Sequence, residues 1–128
     1  MLVLSSDPSN VAKVQPFVEK ATSSLEISKD KFGNILISLT EAVTNAIRHG
    51  NGFDESKKVR IDIRRKKNNL TCCVSDEGHG FDLESIPDPT APENLLKCGG
   101  RGVFLMQMLS DEVEFKNNGS TVEMRFLL

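Results

Sequence analysis

From Lys29 to Arg48 the apolar residues Ile35, Leu36, Leu39, Ala42, Val43, Ala46 and Ile47 recur at three- and four-residue steps. That spacing keeps one flank of a helix buried. Glu41, Asn45 and His49 fall four apart along the same stretch, which aligns a carboxylate, an amide and an imidazole on one side of the helix, beside or within its buried flank. Polar groups in such a place need a partner. An earlier helix is expected to start with Asp7 as N-cap and Pro8 at its first position, carrying Val11, Val14, Val18, Ala21 and Leu25 on one face and bent at Pro16. The residues His49-Gly50-Asn51-Gly52 tolerate left-handed conformations and are expected to end the second helix, with His49 in a structural role bonding its last carbonyls.

Met1 to Ser5 reads as a short strand. Val59, Ile61 and Ile63 alternate with Arg60, Asp62 and Arg64, and Asn68-Asn69 turns the chain into a second strand, Leu70 to Ser75. A second hairpin joins Val113–Lys116 to Thr121–Leu127 through Asn117-Asn118-Gly119. Between the hairpins lie a Gly- and Pro-rich stretch, Asp76 to Gly102, and a short helix, Val103 to Leu109. Grouped helices followed by strands with one polar face predict an α/β two-layer sandwich, with helices packed on one face of a mixed, mostly antiparallel sheet. The whole of residues 1–128 is expected to form a single domain. An irregular stretch as long as 76–102 is expected to be a binding loop or a lid.

Composition removes several classes of function. A net charge of -2 leaves no cationic excess for nucleic acid, and with no Trp or Tyr no stacking platform for single strands stands out. The cysteines Cys72, Cys73 and Cys98 are odd in number and lack ligand spacing, which reads as reduced thiols in a cytoplasmic protein. No run is long enough to span a membrane, and the start lacks the pattern of a signal peptide. The basic run Arg64-Arg65-Lys66-Lys67 falls at a hairpin turn and reads as a solvated tip.

Two glycine-rich segments carry candidate chemistry. Alternation through Leu70, Cys72 and Val74 puts Asp76 on the same inward face, and Gly78 and Gly80 then let the backbone turn and a ligand come close. Asp76 can accept a ligand's amino group there, or it can cap its own turn. Lys97-Cys98-Gly99-Gly100-Arg101-Gly102 leads into an apolar helix, whose free N–H groups, with Arg101 and Lys97, suit phosphate; a plain tight turn is the other reading. On the polar stripe, Asn45 offers a neutral oxygen to a hard cation such as Mg²⁺, and Glu41 could orient or deprotonate a hydroxyl.

In order and character these three segments resemble the N box, G1 box and G2 box of the GHKL ATPase superfamily. Glu41-Ala-Val-Thr-Asn-Ala-Ile-Arg-His-Gly50 is similar to the corresponding motif of its stand-alone anti-sigma-factor serine kinases, and the likeness extends to Pro87-Asp88-Pro89-Thr90, Gly99 to Met106 and Leu109 to Val113. The resemblance implies a Bergerat-type ATP site with Asn45 as Mg²⁺ ligand, Glu41 as catalytic base and Asp76 accepting the adenine amino group. It further implies that Gly78 and Gly80 shape the adenine pocket, while Gly100, Arg101 and Gly102 belong to an ATP lid spanning about 82–102. The activity implied is ATP-dependent phosphorylation of a serine on a STAS-type anti-anti-sigma partner by a homodimer that also binds a sigma factor. A nucleotide-gated module that sequesters a regulator without phosphotransfer is the alternative.

Overall fold

In the computed structural model, which describes residues 1–78 and 100–128 apart from the side chains of Gly100, Arg101 and Asn118, the alternating segments lie at the middle of a five-stranded sheet. Its strands are β1 (Leu2–Ser5), β2 (Lys58–Lys66), β3 (Asn69–Ser75), β4 (Glu112–Lys116) and β5 (Thr121–Leu127), in the order β1-β2-β3-β5-β4, and every pairing is antiparallel. Lys66 pairs with Asn69, so the first hairpin turns through Lys67 and Asn68, one residue earlier than its Asn-Asn pair suggests, with Lys67 at φ 49°. The basic run does lie at this tip, its Arg64, Arg65 and Lys66 exposed. In the second hairpin Asn117 (φ 54°) and Gly119 (φ 89°) supply the left-handed residues.

Asp7 does cap, accepting the Ser9 N–H at 3.0 Å, but Pro8–Lys13 form a 3₁₀ turn, and α1 (Val14–Thr22) begins only after it. Pro16 therefore sits in the first turn of α1. No intrahelical N–H bond is needed there, so the proline starts the helix and does not bend it. Helix α2 (Lys29–Asn45) is capped by Ser28, whose Oγ accepts the Lys31 N–H at 3.0 Å, and Asp30 faces the positive end of the helix dipole. Helix α3 (Gly100–Leu109) takes in Gly100, Arg101 and Gly102, which the sequence left outside it.

All three helices lie on one face of the sheet. Val18, Ile35, Leu39 and Val43 from α1 and α2 meet Val59, Ile61, Cys72 and Met124 from the strands, each with no exposed area. Burial of side chains of this size contributes roughly 1.5–3 kcal/mol apiece, enough to override local irregularities such as the 3₁₀ start. The outer face carries the alternate, polar residues, among them the pairs Lys116–Glu123 (2.9 Å) and Arg125–Glu112 (2.6 Å). Exposed pairs of this kind contribute about 0–1 kcal/mol, so the helical layer holds the fold. Among the described residues no helix is long and apolar enough to cross a membrane.

Candidate functional site

The site is built at the exit of α2. Beyond Asn45 the helix widens into a π turn, Ala46–Gly50, closed by the Asn51 N–H donating to the Ala46 carbonyl five residues back at 2.8 Å. The Phe53 N–H takes the Ile47 carbonyl at 2.9 Å, and Gly52 (φ 58°) and Phe53 (φ 61°) are the left-handed residues. Backbone donors thus fill the place that the sequence suggested for His49. His49 is exposed, and the burial it has, reinforced by the Arg48 charge, lowers its pKa. Glu41 and Asn45 keep the regular four-residue stagger on α2, whereas His49 lies in the widened turn.

The wide turn brings Gly50 against Asp76. As the alternation requires, Leu70, Cys72 and Val74 are buried and Asp76 follows, half-buried, its N–H donating to the Ser120 carbonyl at 2.9 Å. Asp76 Oδ1 accepts the Gly78 N–H at 2.8 Å, so the carboxylate does cap its own turn, and among the described residues no donor meets Oδ2. Burial raises the Asp76 pKa, opposed by the Gly78 bond and by Lys57. A Cβ on Gly50 would fall 2.2 Å from Asp76 Oδ2, and one on Gly78 would fall 1.8 Å from the Gly50 carbonyl oxygen. Close approach, not backbone handedness, is what both glycines provide.

A third contact brings in α3. Gly102, in its first turn, is packed so closely on α2 that a Cβ there would lie 2.5 Å from Asn45 Nδ2. Asn45, Gly50 and Asp76 line one cavity with Met106 and Val74, and its free volume is about 20 Å³, room for a single water. Of the sequence candidates, Asn45 and Asp76 therefore converge, with Gly78 and Gly102 bracing them. Glu41, one turn earlier and half-buried, is not among the cavity's lining residues. Gly80, Lys97, most of the expected lid over 82–102 and the side chain of Arg101 lie outside the described residues. A larger hollow of about 930 Å³ spreads over the outer face of the sheet, lined by ion-paired residues such as Glu123 and Arg125, away from the cavity of Asn45 and Asp76.

One residue that sequence reasoning missed is Asn51, read there only as a helix terminator. It is 4% exposed and joins three separate parts of the chain: its Nδ2 donates to Ser6 Oγ (2.8 Å) and the Lys58 carbonyl (3.0 Å), and its Oδ1 accepts the Glu77 N–H (2.8 Å). These partners are distant in sequence, so no periodicity could reveal them.

Helices over one face of an antiparallel sheet, with the cavity between helix exit and strand end, give the fold of a histidine kinase ATPase domain. The structure of the histidine kinase domain from the Erythrobacter litoralis EL346 blue-light activated histidine kinase superimposes with a TM-score of 0.62, at 18% identity, covering 94% of this chain and 60% of that one. The sequence pattern of the histidine kinase-like ATPase domain matches residues 4–126, and the chain belongs to that family. It is similar to proteins named serine-protein kinase RsbW: 29% identical over 126 residues to that of Bacillus subtilis, covering 93% of this chain and 79% of the relative. To that of Bacillus licheniformis it is 30% identical over 124 residues, covering 91% and 78%. To that of Oceanobacillus iheyensis it is 30% identical over 96 residues, and the match spans 70% of this chain and 61% of the relative.

Proposed function

We propose that the protein is an Mg²⁺-ATP-dependent protein serine kinase that phosphorylates a serine of a STAS-type anti-anti-sigma partner, and that it acts as a cytoplasmic homodimer which also holds a sigma factor. The observation that carries the nucleotide reading is the half-buried Asp76, one carboxylate oxygen fixed by the Gly78 N–H and the other meeting no described donor, in the cavity that Asn45 also lines. Such an acceptor suits the amino group of adenine. The similarity to serine-protein kinases named RsbW supports the choice of phosphoacceptor.

Asn45 supplies a neutral oxygen of the kind a hard cation takes, and among the described residues no cluster of three His, Cys, Asp or Glu side chains competes with it for a metal. A bound Mg²⁺ would offset the negative charge of the phosphates. The family resemblance assigns Gly80 to the adenine pocket as well. Gly100 and Gly102, in the first turn of α3, offer backbone N–H groups of the kind that suit phosphate oxygens, and the family resemblance adds Arg101 to them. Glu41 takes the proton of the partner's serine hydroxyl. The serine oxygen then bonds to the γ-phosphorus as the bond from phosphorus to the β,γ-bridging oxygen breaks, and ADP leaves with that electron pair.

Incubation with γ-labelled ATP and candidate STAS-domain proteins should transfer label to serine, and Glu41→Ala should abolish transfer while sparing nucleotide affinity. Nucleotide binding without transfer to any STAS partner would overturn the kinase reading. It would favour the second one, a nucleotide-gated module that sequesters its partner, for which the position of Glu41 outside the cavity lining is the supporting observation.

A further inference from the structure

The Asp76 turn is held from outside as well as by its own bond to Gly78. Asn51 closes the π turn of α2 through its backbone N–H, and its side chain reaches the next residue of the Asp76 turn, Glu77, by accepting that N–H at 2.8 Å. The amide orientation is fixed by chemistry. The Lys58 carbonyl can only accept and the Glu77 N–H can only donate, so Nδ2 and Oδ1 cannot exchange. Ser6, fully buried, donates to the Lys57 carbonyl at 2.8 Å and accepts from Asn51 at 2.8 Å, which anchors the amide just past the end of β1. A second tie runs from the Lys58 N–H to Glu77 Oε2.

Building on the nucleotide reading above, we propose that Asn51 is a positioning residue for base selectivity. By gripping the Glu77 N–H it sets the direction of the Asp76 carboxylate, and so makes the site prefer a purine bearing a 6-amino group. Three close contacts in sequence hold that direction. Asn51 holds Glu77 at 2.8 Å, Gly78 holds Asp76 Oδ1 at 2.8 Å, and Gly50, next to Asn51, leaves no room for a Cβ beside Asp76 Oδ2. A half-buried acceptor held in one direction discriminates between ligands that do and do not satisfy it. Release of the Glu77 N–H lets the turn relax and the aim is lost.

The test compares the affinities of ATP and inosine triphosphate, which carries an oxo group where ATP has the amino group. The wild type should favour ATP by about tenfold or more, since a hydrogen bond to a charged acceptor is involved. Absence of that preference in the wild type would refute the adenine reading itself, not the role of Asn51. Given the preference, Asn51→Ala should shrink it to roughly twofold by weakening ATP while leaving inosine triphosphate nearly unchanged. Asn51→Asp loses the donors to Ser6 and Lys58 but keeps an oxygen for the Glu77 N–H, so it should melt earlier than wild type and still keep most of the preference. If Asn51→Ala does not fold, Asn51→Asp decides alone. Equal losses for both nucleotides in Asn51→Ala, or loss of the preference in Asn51→Asp, would overturn the proposal and leave Asn51 a purely structural clip.

Discussion

Asp76 sits half-buried against Gly50 and Gly78, and burial raises its pKa, so ionising this carboxyl costs more in the folded protein than in the unfolded chain. Its folded-state pKa lies above the unfolded value. Its contribution to stability is therefore fully present below the ordinary carboxylate range and is lost as pH rises through the raised folded value. Asp76→Asn keeps an oxygen for the Gly78 N–H and removes the charge. Its melting temperature at neutral pH should equal or exceed that of the wild type, and the difference should close in acid, where the wild-type carboxyl is already protonated. In the same variant ATP affinity should fall about 10- to 100-fold, the range for loss of a hydrogen bond to a charged acceptor. A clearly lower melting temperature at neutral pH would show that the carboxylate is there for the fold. Cys72 is a contrasting case: burial pushes its thiol up to about 12, and it belongs to the same buried core as Ile61 and Val74, which suits an inert packing residue.

At the scale of elements, α2 does most of the positioning and also contains a flaw. Ser38, on its core-facing side, is fully buried, and among the described residues its hydroxyl has no hydrogen-bond partner. Ser38→Ala removes an unsatisfied polar group and improves helix propensity, so it should stabilise the domain by about 1 kcal/mol, a rise of roughly 3–6 °C in melting temperature. A lower melting temperature would mean that the hydroxyl is satisfied after all. The regular parts of these elements were legible because period alone determines them. Alternation in β2 and β3 placed Ile61, Cys72 and Asp76 on the inner face, and the four-residue steps of α2 aligned Glu41 with Asn45. What period does not encode was lost. The π turn that carries His49 off the stripe and sets Gly50 beneath Asp76 is closed by backbone donors, and the Asn51 bonds join residues up to 45 positions apart. Pro16 escapes the periodic pattern for a related reason, since the 3₁₀ start puts it in a first turn and not in a helix interior.

At the scale of the whole molecule, the site draws on three parts of the chain that meet only through tertiary packing: Asn45 and Gly50 at the end of α2, Asp76 and Gly78 at the end of β3, and Gly102 at the start of α3. Helix α3 packs chiefly on α2, so its first turn against Asn45 is one wall of the cavity. With about 20 Å³ free the cavity is far smaller than a nucleotide, so a nucleotide seated there, as proposed, requires it to widen. A ligand that then contacts all three parts binds the folded state alone and stabilises it by mass action. At a hundredfold excess over Kd this amounts to about 2.7 kcal/mol, or roughly 10 °C in the melting temperature of a domain this size. Mg²⁺-ATP should produce such an upward shift, and ATP with a chelator a smaller one, because the charge among the phosphates is then left without its counter-ion. Asn45→Ala should make the shifts with and without Mg²⁺ equal, whereas Asp76→Asn should reduce both together. An unchanged Mg²⁺ dependence in Asn45→Ala would remove Asn45 from the metal site, and a wild-type shift retained in full by Asp76→Asn would put the nucleotide somewhere other than this cavity.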